Sequence, residues 1–209
     1  KSYGPQYPRG IQEGNGVPAD GDLWVSYSVN KEDMWISRIP VPVEINASAH
    51  ADDDFSKNKS IAELTDWNIY SPVWAPVSLE DHWLKLQDTD PFDYAKVERK
   101  IPASKELKVS FDLKAGQNNK GTLQIEFLDE NGIACSRIEL TDDGIFRLKG
   151  GSRFANMMKY EAGKIYHVEA VLSTVDRNIQ VYVDGKRVGL RMFYAPVAAV
   201  ERIVFRTGV

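Results

Sequence analysis

The sequence predicts an all-β protein, an antiparallel β-sandwich with an N-terminal β-hairpin tail. Three observations carry that expectation. After Asp66, apolar residues recur at every second position, the period of a strand with one dry face and one wet face. Clusters of turn residues divide these runs at a spacing of about 8–12 residues. No stretch shows the three-to-four-residue period of a long helix.

The elements follow in order. Residues 1–48 hold five of the ten prolines and five of the fifteen glycines, a density that breaks helices and marks loops and short strands. Inside them, Leu23–Val29 and Met34–Ile39 read as two strands joined by Asn30-Lys31-Glu32-Asp33, with Pro40-Val41-Pro42 as a stiff exit. A lone hairpin is marginal in water, and a two-stranded ribbon cannot bury both Trp24 and Trp35. Residues 23–39 are therefore expected to pack against the sandwich or a neighbouring chain.

Residues 49–66 read as a linker. They are polar, include Asp52-Asp53-Asp54, and offer one helical turn at Ser60–Leu64, with Ser60 as cap and Glu63 three residues on. Residues 67–209 form the sandwich. Val109, Phe111 and Leu113 alternate with Lys108, Ser110 and Asp112, and Leu123, Ile125 and Phe127 with Thr122, Gln124 and Glu126. Tyr166, Val168, Ala170 and Leu172 alternate with His167, Glu169 and Val171, and Ile179, Val181 and Val183 with Gln180 and Tyr182. Asn118–Gly121, Glu130–Gly132, Asp142–Gly144 and Asp184-Gly185 are the turns between runs. The last predicts a two-residue type I′ hairpin. Ala195–Phe205 supplies the final strand.

Composition excludes several classes. Lys plus Arg is 26 against 30 for Asp plus Glu, a net charge of −4, so nucleic acid is not an expected partner. No apolar run approaches the roughly 20 residues of a spanning helix, so membrane insertion is not expected. The lone Cys135 rules out an intramolecular disulfide and reads as a buried, inert thiol. His50, His82 and His167 accompany no Gly-x-Ser-x-Gly elbow and no zinc-ligand spacing. Glu126-Phe127-Leu128-Asp129-Glu130 runs into a turn and does not set paired carboxylates on one strand face.

Three sets of residues remain as candidates. Asp88, Asp90 and Asp93 lie within six residues and could give oxygen ligands to a structural calcium; otherwise they cap a solvated turn. No other cofactor is expected. Trp67, Tyr70, Trp74, Trp83 and Tyr94 offer flat faces for sugar rings, although large aromatics more often supply bulk for a sandwich core, and Trp83 is the one chosen as a binding residue. Arg9, Tyr27, Asn30, Lys31, Glu32 and Asp33 make the densest polar cluster among the tail aromatics; Arg9, Tyr27, Lys31 and Glu32 are the remaining candidates for glycan contact, the alternative being a hairpin turn of solvated charges.

Two stretches resemble known families. Trp67-Asn68-Ile69-Tyr70-Ser71-Pro72, Trp83–Asp88, Val181–Lys186 and Arg202–Gly208, in that order, resemble the concanavalin A-like lectin/glucanase sandwich in its LamG-like form. Arg9-Gly10-Ile11, Gly14-Asn15-Gly16 and Trp24–Pro40 resemble the last blade of a sialidase-like (BNR-repeat) propeller of bacterial glycan-acting enzymes, in which a C-terminal sandwich follows the propeller. The resemblances imply a concanavalin A-like jelly roll with a propeller-like tail, part of a secreted or periplasmic glycoside hydrolase. The implied partners are a glycan or oligosaccharide and a propeller domain lying upstream. No Asp-box and no laminarinase-type Glu-x-Asp-x-x-Glu is present. The expected role is thus an accessory carbohydrate-binding sandwich without a complete catalytic site. A self-contained hydrolase, a free-standing binding module and a purely structural sandwich are the alternatives.

Overall fold

The computed structural model describes residues 5–12, 21–29, 33–39 and 51–208. The chain divides into two units, Lys1–Asn46 and Ala47–Val209. The first is a three-stranded antiparallel sheet in the order β1 (Pro5–Gln12), β2 (Leu23–Val29), β3 (Asp33–Ile39). Its β2–β3 pair is the expected hairpin, with Leu23 opposite Ile39 and Tyr27 opposite Trp35. The third strand, β1, is not foreseen by pattern, because Pro5, Pro8 and Gly10 interrupt any alternation. An edge strand tolerates proline, and β1 accommodates it with a register shift between Gln6 and Arg9, where Tyr7 takes φ +51. Trp24 pairs opposite Arg38 and Trp35 opposite Tyr27, so the two tryptophans project from opposite faces. Ile11, Trp24, Met34, Trp35 and Ile36 are all exposed within this unit.

In the second unit the strands are β4 (Trp67–Tyr70), β5 (Val77–Glu80), β6 (Trp83–Leu86), β7 (Lys96–Ser104) and β8 (Glu106–Lys114). They continue with β9 (Leu123–Leu128), β10 (Ala134–Leu140), β11 (Ile145–Gly150), β12 (Arg153–Lys159) and β13 (Ile165–Ser173). The last are β14 (Asn178–Val183), β15 (Lys186–Met192) and β16 (Val200–Thr207). A seven-stranded sheet, β12-β11-β10-β9-β16-β7-β4, and a four-stranded sheet, β15-β14-β13-β8, form an all-β antiparallel sandwich, as predicted. Ile125, Phe127, Ile138, Phe146 and Leu148 of the larger sheet join Val168, Ala170, Leu172, Ile179 and Val181 of the smaller in one buried cluster. These are the apolar positions of the two-residue pattern. Removing them from water at about 25 cal/mol per Å² is what holds the layers together.

The turns follow their chemistry. Asp184 and Gly185 take φ +50 and +76, the type I′ hairpin expected between β14 and β15. The β5–β6 hairpin has the same geometry without glycine: Asp81 and His82 sit at φ +48 and +66.

Residues 51–66 are not a free linker. The β5–β6 hairpin covers Ala75, Val77, Ala95 and Val97 in a second apolar cluster, against which Ile61 and Trp67 pack. Phe55 lies 5.9 Å from the Trp67 ring. The guanidinium of Arg99, only 5% exposed on the inner side of β7, donates to Asp53 at 2.9 Å and pairs with Asp66 at 3.4 Å. A buried arginine requires such partners, and the acidic run supplies them from a distance that sequence pattern does not reveal. The helical turn is a 3-10 turn at Ile61–Glu63; Ser60 precedes it without a side-chain cap bond, and Glu63 accepts from the Lys59 N–H instead.

Candidate functional site: the outer face of the seven-stranded sheet

The polar positions of β9 to β12 and β16 make up the outer face of the larger sheet, and they are not simply solvated. Arg137 stands opposite Glu126, Glu139 opposite Gln124 and Arg147, and Arg206 opposite Gln124. Gln124, Glu126 and Glu139 are only 6%, 8% and 4% exposed. The cause is arginine: long guanidinium side chains from β10, β11 and β16 lie over the shorter acceptors and hydrogen-bond to them. Arg137 donates from Nε and Nη2 to one Glu126 oxygen at 2.8 and 2.5 Å. Arg147 donates to Glu139 at 2.8 Å, and Arg206 to the Gln124 amide oxygen at 2.5 Å. Towards β7, Glu98 pairs with Lys96 at 3.0 Å and Arg202 at 3.6 Å.

Aromatic rings flank this polar grid. Phe154 of β12 stands opposite Lys149 of β11, and the Arg147 guanidinium stacks 4.3 Å from its centroid. The Lys149 ammonium lies 5.6 Å from Phe154 and 4.6 Å from Tyr194, which belongs to the β15–β16 connection. Burial, opposed by the neighbouring Arg137 charge, pushes the Tyr194 hydroxyl up to about 12. Beside Tyr94, Arg206 stacks at 5.4 Å. A flat sheet face with fixed donors and acceptors, bounded by rings, can hydrogen-bond vicinal hydroxyls and stack against a pyranose. Its carboxylates Glu126 and Glu139 are each held by an arginine, an arrangement suited to binding rather than to proton transfer.

Of the residues chosen from sequence, Trp83, Asp88, Asp90 and Asp93 belong to the same unit and take no part in this grid, and those of the first unit are described by themselves. Arg9 pairs opposite Ser26, on the opposite face of the first sheet from Tyr27, whose hydroxyl bonds Ser37 at 3.0 Å. Lys31 and Glu32 lie outside the described residues. Trp83 is half-buried at the start of β6, opposite Glu80. Trp67 packs between Phe55 and Phe205, while Tyr70 and Tyr94 stack on each other at 5.2 Å.

The three aspartates each bond to nearby donors. Asp88 accepts from the Asp90 N–H and the Thr207 hydroxyl, both at 3.0 Å, and Asp90 accepts from the Phe92 N–H at 2.9 Å. Asp93 accepts from the Tyr94 N–H and the Tyr70 hydroxyl. Each carboxylate caps its own turn, and among the described residues no three such ligands converge. Burial, together with the Asp93 charge, raises the Tyr70 hydroxyl to about 12. Cys135 is buried, and its desolvation lifts the thiol to about 12. His167 makes an exposed pair with Asp112 at 2.8 Å.

Sequence reading missed the outer-face residues because it took alternate polar positions as wet. A signal was present: Gln124/Glu126, Arg137/Glu139, Arg147/Lys149 and Arg202/Arg206 place long charged or amide groups where serine or threonine would suffice. Only the register shows that they meet.

The fold is an antiparallel β-sandwich, and the class it falls in is that of carbohydrate-binding modules. The chain belongs to the family described as "Sialidase-like, CBM domain", whose model matches residues 67–209. A solved structure described as a sialidase is 90% identical, with a TM-score of 0.87, and the match covers 100% of this chain and 19% of that one. This chain thus spans about a fifth of that protein's length. More distant is a sheep galectin-11 complex with glycerol (17% identity, TM-score 0.42, covering 53% of this chain and 88% of that one). Another is the carbohydrate-binding module CBM66 from Bacillus subtilis (11% identity, TM-score 0.41, covering 69% and 92%). Likenesses this distant decide nothing about ligand or activity. No curated protein matches the chain in sequence.

Proposed function

We propose that this chain is a non-catalytic glycan-binding module of a larger bacterial glycan-degrading enzyme, and that it binds on the outer face of the seven-stranded sheet. The observation that carries the reading is the grid of Arg137–Glu126, Arg147–Glu139 and Arg206–Gln124 between Phe154, Tyr194 and Tyr94. Such a grid holds its donors and acceptors in place before a ligand arrives, which lowers the ordering cost of binding. The 90% identical sialidase structure supports membership of a longer enzyme. The tail residues Trp24–Pro40 support, by resemblance, a BNR-type propeller upstream, and the sandwich motifs support the concanavalin A-like, LamG-like form. Work on external glycans suits a secreted or periplasmic location.

The test is calorimetric titration of the 209-residue chain with an oligosaccharide panel, beside a turnover assay on the same panel. Binding without turnover is expected, weakened about tenfold by Phe154→Ala and unchanged by Trp83→Ala. Hydrolysis by the chain alone, or loss of binding with Trp83→Ala only, would overturn the reading.

A further inference from the structure

Cations gather around Phe154 in a chain whose net charge is −4. Arg147 and Lys149 approach the ring from the outer sheet face. Beside it an open depression of about 310 Å³ is lined by Gly150, Ser152, Arg153, Phe154 and Arg191. Glu139 neutralises Arg147. Among the described residues, no carboxylate pairs with Lys149, Arg153 or Arg191. That leaves Arg153 and Arg191 lining the depression and Lys149 at 5.6 Å from the Phe154 ring without a carboxylate partner among the described residues, a local field opposite in sign to the whole chain.

The depression is also shaped by backbone chemistry. A Cβ on Gly150 would fall 2.4 Å from the Arg191 Cβ and 2.9 Å from the Met192 carbonyl. Glycine at the end of β11 is what lets the stem of Arg191 cross there, where Arg191 helps line the depression. The volume sits at the small end of the range for small-molecule sites, about 300–1,000 Å³, and suits a terminal saccharide unit better than a long chain segment.

We propose that this depression is the subsite for an acidic sugar residue, one bearing a carboxylate or a sulfate. The proposal rests on the glycan-binding reading above and names the ligand class of its β12 end. Arg153 and Arg191 present planar forks that bond two oxygens of an anion at once, the Ser152 hydroxyl adds a donor, and the sugar ring meets Phe154. Exposed arginines contribute little one at a time, so the concavity and the pair of forks are both needed. Lys149, held between Phe154 and Tyr194, extends the positive field onto the neighbouring sheet face.

The experiment uses the full chain on a printed panel of neutral, uronate-containing, sialylated and sulfated oligosaccharides. The best acidic ligand is then titrated beside its carboxyl-reduced or desulfated form. The acidic form is expected to bind about tenfold tighter, with an advantage that shrinks as salt rises. The double variant Arg153→Gln/Arg191→Gln is expected to melt like the parent and to lose that advantage while keeping its affinity for the neutral form. The uronate, sialylated and sulfated arms identify which anion is preferred. Equal binding of acidic and neutral forms, or an acid preference that survives the double variant, would overturn the proposal and leave the glycan-binding reading standing. No binding to any member of the panel would overturn both.

Discussion

Arg137 of β10 and Glu126 of β9 face each other across the ladder, with Nε and Nη2 of the guanidinium at 2.8 and 2.5 Å from the same carboxylate oxygen. The pair sits on the face that alternation marks as wet, yet both side chains are largely covered, at 22% and 11% exposure. Removing one partner from a covered pair leaves the other desolvated and unmatched. Glu126→Ala is therefore expected to destabilise the sandwich by about 1–3 kcal/mol in urea denaturation. A freely solvated pair would cost about 0–1 kcal/mol, and a loss in that lower range would show the grid to be loose.

Arg99 and Asp53 join the body of the sandwich to a segment 46 residues earlier in the chain. Asp53→Ala is expected to lower stability by about 1–3 kcal/mol, since Asp66 retains part of the compensation for the buried guanidinium. Limited proteolysis should then cut within residues 51–66, which the parent protects. An unchanged melting temperature and an unchanged cleavage pattern would show that this segment is not held.

Gly150 is one of the residues that line the depression. Gly150→Ala is expected to force β15 away from the end of β11 and to cost about 1–3 kcal/mol, as overpacking does, because the Met192 carbonyl near the new Cβ is backbone and cannot rotate aside. Thermal melting checks it. A variant as stable as the parent would mean that the strand end yields easily.

Alkaline pH is expected to weaken the fold in a defined window. Burial raises Cys135 from an ordinary 9.0 to about 12, and Tyr70 and Tyr194 from 10.0 to about 12. Each acid is then weaker in the folded chain than in the unfolded one. The unfolded state loses its protons first, so stability is undiminished below about pH 9 and falls as pH climbs from about 9 towards 12. Melting temperatures measured from about pH 8 to 11 should decline above pH 9. Cys135 should also resist thiol reagents until the chain unfolds; prompt labelling of the native protein would contradict its burial.

Trp24 and Trp35 leave opposite faces of the N-terminal sheet, so within a three-stranded layer no one covering surface reaches both. Residues 1–46 produced alone are expected to show no cooperative melting transition by circular dichroism, because a few strands with apolar residues on both sides lack a core. A sharp transition from that peptide would overturn the expectation.

Strand alternation determined by itself that this is an antiparallel β protein, because a side-chain period of two is a local property of the backbone. The same holds for the Asp184-Gly185 hairpin, whose left-handed dihedrals are written into its two residues. What alternation could not decide is which strands become neighbours. β16, last in sequence, enters between β9 and β7 and brings Arg206 over Gln124, 82 residues away. Asp53 and Arg99 meet for the same reason. Adjacency in sequence likewise does not say where the carboxylates of Asp88, Asp90 and Asp93 turn, and each accepts from a backbone N–H close by. The apolar pattern acts through burial, which is non-directional and legible residue by residue. The outer-face grid and the depression beside Phe154 depend on register and on the reach of individual arginines, and those exist only once the sheets have assembled.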